Sequence, residues 1–139
     1  MVIYKNTPKT THFLNVDLDI YSKSNLQPLV TVLGRKVFVL HAGRDRRTYH
    51  AHLELTRVNG VQMQPYAAFA LVQALPKAER DLWSTSKVRD FNIGVQAATH
   101  PPSYETALAV ETIKAASDVQ ARIVFTVYAP EGRPKRVRH

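Results

Sequence analysis

The sequence predicts an α+β domain in which a mostly antiparallel five-stranded sheet carries helices on one face, in the order β-α-β-β-α-β-α-β. Three observations lead there. Phe13 to Tyr21 alternates, with Leu14, Val16, Leu18 and Ile20 pointing one way and Asn15, Asp17 and Asp19 the other, as side chains do along a strand. Tyr49 to Thr56 repeats the pattern, setting Tyr49, Ala51, Leu53 and Leu55 against His50, His52, Glu54 and Thr56. Between such runs lie segments whose apolar residues recur at helical spacing. Strands with one apolar and one ionisable side make an antiparallel sheet covered on one face only.

The elements follow in order. Residues 1–10 form a polar arm, and the first strand covers 12–22. Ser24-Asn25 supplies cap chemistry for a short helix with Leu26, Leu29, Val30 and Leu33 on one buried face, and Pro28 fits its first turn. Gly34 closes that helix, where a left-handed conformation costs glycine nothing. A second strand at 36–42 leads through Gly43-Arg44-Asp45-Arg46-Arg47 into a third at 48–57, a hairpin. Asn59-Gly60 is a turn. Pro65 opens a helix to Leu75, with Phe69, Val72 and Leu75 inward, and Pro76 restarts a shorter helical segment through Trp83. The fourth strand spans 89–97, where Gly94 marks a bulge or a close backbone approach. Ser103 caps a helix over 104–118 with Ala109, Ile113 and Ala116 inward, and the fifth strand is 121–129. Leu14, Val16, Leu18, Leu53, Leu55, Ile93, Val95, Phe125 and Val127 are expected to share one core.

A chain of 139 residues fits one domain, here 11–130, between the arm and a basic tail at 131–139. With no Cys, neither a disulfide nor a thiolate site is open to it. No apolar run reaches the roughly 20 residues that span a bilayer, and the first ten residues lack the apolar core of a secretory signal. A cytoplasmic protein with no membrane partner is expected. The net charge of +8 sits largely at the two ends, since residues 11–128 hold 13 Lys and Arg against 10 Asp and Glu. A basic tail of this kind attracts polyanions without sequence preference.

The strongest candidate site is the open sheet face, where Asp17, Asp19, His50, His52, Glu54, Asn92, Gln96, Thr126 and Tyr128 should share one side. Imidazoles and a carboxylate two residues apart on a strand, His50, His52 and Glu54, are a ligand set that a zinc or iron ion accepts. Ordinary cross-strand pairing of the same groups is the plainer alternative. Asp17 and Asp19 are spaced for a carboxylate pair, yet no serine carries a nucleophile-elbow pattern and neither a dinucleotide nor a P-loop glycine motif is present. Arg44, Arg46 and Arg47 form the dense basic cluster of the hairpin loop, able to clamp phosphates or a partner's carboxylates. The same residues would also blunt an aggregation-prone tip.

Trp83, the strand Arg89-x-Phe91-Asn92-Ile93-Gly94, a following helix and a terminal strand ending Thr126-Val127-Tyr128 resemble small uncharacterised bacterial domains. Some of those are encoded beside polymorphic toxins and regarded as immunity proteins. The resemblance implies a non-catalytic domain that binds a protein partner as an immunity or antitoxin-like factor, without a cofactor. No site residue carries over from the resemblance; from the charged groups of the loop and the open face themselves, partner contacts are expected at Arg44, Arg46, Arg47, Asp17, Asp19 and Glu54. The alternatives are a nucleic-acid-binding accessory protein acting through the tail and a metal-dependent enzyme using the polar sheet face; a homodimer is compatible with each.

Overall fold

The computed structural model describes residues 10–55 and 65–130. The arm before Thr10, the Asn59-Gly60 turn and the basic tail lie outside the described residues. Strand β1 (His12–Ser22) is followed by α1 (Gln27–Leu33), a 3-10 turn (Gly34–Lys36), β2 (Val37–Asp45), β3 (Thr48–Leu55), α2 (Pro65–Gln73), α3 (Lys77–Ser84), β4 (Val88–Gln96), α4 (Val110–Asp118) and β5 (Arg122–Tyr128). The fold is α+β as the sequence predicts, and the helical segments that Pro65 and Pro76 open are two separate helices, α2 and α3, between β3 and β4. The sheet order is β2-β3-β1-β4-β5. Neighbours are antiparallel except β4 and β5, which the α4 crossover makes parallel.

Local chemistry accounts for the element ends. Asn25 Oδ1 accepts the Gln27 N–H at 2.9 Å, one residue ahead of the N-cap Leu26. Gly34 ends α1 at φ 53°, a conformation in which a Cβ is costly. Pro65 starts α2, and Pro76 stands at the N-cap of α3.

The core lies between the helices and one sheet face. Leu26, Leu29, Val30 and Leu33 of α1 and Phe69, Val72 and Leu75 of the second helical stretch are buried as their spacing predicts. Trp83 is fully buried; its indole N–H donates to the Val119 carbonyl at 2.8 Å, and its ring meets Phe91 edge-on at 5.7 Å. Phe91 in turn meets Phe69 at 4.4 Å. A large ring and its one polar atom are thus both satisfied away from water.

Three expectations need correction. Leu14 is not a core residue: a bulge between Phe13 and Asn15 inserts one residue into β1, so Phe13 packs on the core instead. Phe125 and Val127 are 48% and 63% exposed, although they share the core side with Ile93 and Val95 across the ladder. Strand β5 is an outer strand of the sheet, and of its residues only Ile123 packs against the core; Phe125 and Val127 lie on the correct side of the strand but past the edge of the core. Third, the last helix begins at Val110, not 104, and buries Thr112, Ala115 and Ala116, with Val119 just beyond, while Ala109 and Ile113 face out. Ser103 caps nothing, because the chain from 103 to 109 runs without helical bonds and brings Leu108 against the core.

Candidate functional site

On the face opposite the helices, the register sets three ranks of β1 and β3 side by side: Asp17 opposite Glu54, Asp19 opposite His52, and Tyr21 opposite His50. The hydrogen bonds run one rank off, along the diagonal. Asn15 Nδ2 donates to Glu54 Oε1 at 3.1 Å, His52 Nε2 to Asp17 Oδ2 at 3.1 Å, and His50 Nε2 to Asp19 Oδ1 at 3.3 Å. An ionised carboxylate only accepts, so Nε2 carries the hydrogen in each imidazole. The twist between strands brings diagonal neighbours within reach and makes a ladder of three parallel rungs.

One rung is incomplete. Asp17 Oδ1 is buried without a hydrogen-bond partner among the described residues. Burial pushes the Asp17 carboxyl above its ordinary 3.8, outweighing the hydrogen bond and charge of His52, while the negative charges of Glu54 and Asp19 add to the rise.

Farther across the face the pairs join β4 to β5. Asp90, opposite Asp19, receives both Nε and Nη2 of Arg122 at 2.9 and 2.7 Å, the two-pronged geometry of a guanidinium on a carboxylate. Thr126 Oγ1 donates to Asn92 Oδ1 at 2.8 Å. Gly94 stands opposite Asn15, and the bulge lies in β1 beside it rather than at Gly94; what approaches the glycine is a side chain, since a Cβ there would lie 2.7 Å from Asn15 Oδ1.

At the hairpin end the ladder becomes aromatic. The Tyr21 ring stacks on His50 with centroids 4.2 Å apart and planes 9° apart, and His41 of β2 stands 5.3 Å from His50. These rings, with Asp45, Arg46 and Arg47, line a pocket of about 520 Å³ on the open face.

The sequence-derived candidates are therefore divided. Asp17, Asp19 and Glu54 do share one surface with His50 and His52. Each of these imidazoles and Glu54 is turned to its own β1 partner, and among the described residues no group of three or more His, Cys, Asp or Glu is arranged to hold a metal ion. Arg46 and Arg47 reach the open-face pocket. Arg44 does not: its Nε donates to the Arg46 carbonyl at 2.8 Å and its guanidinium lies 5.8 Å from the centre of the Tyr49 ring, on the helix side. Tyr21, His41, Asp90 and Arg122 complete the face, and sequence reasoning missed all four. The alternation of β1 already placed Tyr21 there. For His41 the signal was hidden by a second bulge, between Val39 and His41.

Beside the pocket, β2 is an outer strand on which Phe38, Val39 and Leu40 are 61%, 43% and 46% exposed. No helix among the described residues is long and apolar enough to cross a membrane. The chain matches no protein-family model, no curated protein and no solved structure.

Proposed function

We propose that this chain is a non-catalytic protein-binding domain that takes an extended segment of its partner alongside β2. The carrying observation is the outer strand itself. An outer strand offers unpaired backbone groups for another strand to pair with, and proteins usually guard it with charge, proline or a short length. Here Phe38, Val39 and Leu40 form a consecutive exposed apolar run inside a nine-residue strand, with charged side chains only at its end, Arg44 and Asp45. Added-strand recognition combines main-chain pairing with side-chain contacts on alternate residues, and Phe38 next to Glu54 extends the open face toward such a partner.

The open face supports the reading in a second way. Its acids and imidazoles bond one another in pairs instead of converging on a common point. An immunity or antitoxin-like role is the form of this function that the resemblance of the second half favours, and a toxin-like enzyme is then the partner class.

Site-specific photocrosslinking in the native host tests the proposal. A benzoylphenylalanine at position 38 or 40 should trap one and the same polypeptide, and the same probe at Val32 on α1 should not. The purified polypeptide should bind the wild-type domain and lose that binding to the Phe38→Lys/Leu40→Lys variant, whose stability should stay within about 0.5 kcal/mol per change because both positions are at the surface. Equal trapping from 32 and 38, or full binding by the double variant, would overturn it.

A further inference from the structure

The pocket at the hairpin end of the open face has no part in strand addition, and its chemistry is different. Arg46 and Arg47 form the whole turn between β2 and β3, and neither guanidinium has an ion-pair or hydrogen-bond partner among the described residues. Arg46 also occupies a backbone position at φ 55°. Glycine is at ease there, whereas an L side chain is disfavoured by about 1–2 kcal/mol. A side chain in a disfavoured backbone position, with no partner among the described residues, points to a role in binding something from solution.

Around these two cations the lining is planar and largely aromatic. Tyr21 lies flat on one side of His50 and His41 stands near it. Asp19 accepts the His50 Nε2 hydrogen, so the ring is held in place. Asp45 is the one acid of the lining. Paired guanidinium groups fit a tetrahedral oxyanion through forked hydrogen bonds, and rings of this kind offer faces on which a planar body stacks. From this juxtaposition we infer that the pocket binds a phosphorylated planar small molecule, its phosphate on Arg46 and Arg47 and its ring against Tyr21 and His41.

Phenyl phosphate and inorganic phosphate serve as probes, titrated into the full chain at low ionic strength while the ring resonances of Tyr21, His41 and His50 are followed by NMR. Phenyl phosphate should produce saturable shifts at all three rings and bind several-fold more tightly than inorganic phosphate. Arg46→Gly is the informative variant. It should lower phenyl phosphate affinity at least about tenfold, the scale of one lost charge-assisted contact, while its melting temperature holds or rises because the left-handed position is relieved. Asp45→Asn should tighten binding about two- to fivefold by removing the opposing charge. Absence of saturable shifts up to about 10 mM, which is weaker than millimolar affinity, would overturn the inference. So would equal affinity for the two probes, or undiminished binding by Arg46→Gly. None of these results depends on a strand being added at β2, so this inference and the proposed function fail separately.

Discussion

On the helix side of β1 and β4, Val16, Leu18, Ile20, Phe91 and Ile93 are almost wholly buried, and each packs by shape. On the other side of the same strands, Asp17, Asp19, Asp90 and Asn92 are each held by one named polar partner, Asp90 by two hydrogen bonds from a single guanidinium. The apolar face has many partners per residue and no preferred one. The polar face has one partner per residue and no spare. A substitution should therefore cost most on the first face, and on the second its cost should follow the particular bond it breaks.

The sharpest break comes from Phe91→Ala. This removes the ring between Trp83 and Phe69 and should destabilise the domain by about 3–5 kcal/mol in a urea titration. A loss below about 1.5 kcal/mol would mean that the helix layer collapses into the gap and that the two faces are less distinct than their packing implies.

Gly94→Ala probes the other face from the backbone. The new methyl would displace the Asn15 amide and break its bond to Glu54, a loss of about 1 kcal/mol. In an Asn15→Ala background the same change should cost little. Strict additivity of the two changes would show that the bond contributes nothing.

The smallest effect has the opposite sign. In the unfolded chain Asp17 titrates near 3.8, and in the folded chain burial moves it higher. Between those two values the native state holds the extra proton, so stability falls as pH rises through that window. Asp17→Asn should abolish this component and, by also removing the like-charge contact with Glu54, leave the domain about 0.2–1 kcal/mol more stable at neutral pH. The check is the difference between wild-type and variant stability from about pH 3.5 to 6. A difference that grows toward acid would reverse the sign and show that the His52 bond outweighs burial.

The same contrast explains what was legible in the sequence. Alternation in β1 and β3 placed Val16, Leu18, Leu53 and Leu55 in the core and Asp17, Asp19, His50, His52 and Glu54 on the open face, because a period of two depends only on local geometry. It failed at Leu14, where a bulge adds a residue, and at Phe125 and Val127, where an outer strand runs past the edge of the core. Periodicity says which way a side chain points; it does not say whether anything is there to meet it. The diagonal partners of the ladder were hidden for a related reason, since they depend on register and twist between strands far apart in the chain. Arg44 was separated from Arg46 and Arg47 by the pleat and by the turn, which a count of arginines in the loop does not show.

The place of β1 at the centre of the sheet has a consequence for how the chain acquires its shape. Its two neighbours, β3 and β4, begin at Thr48 and Val88, so both of its sides are closed by segments that come much later in the chain. The β2–β3 hairpin can form from nearby residues, but the centre of the sheet must wait until Val88–Gln96 is in place. Non-local closure of this kind slows folding. Until it happens β1 keeps an apolar side and an unpaired margin, and the slow step of folding should be the docking of β4 rather than the formation of any helix.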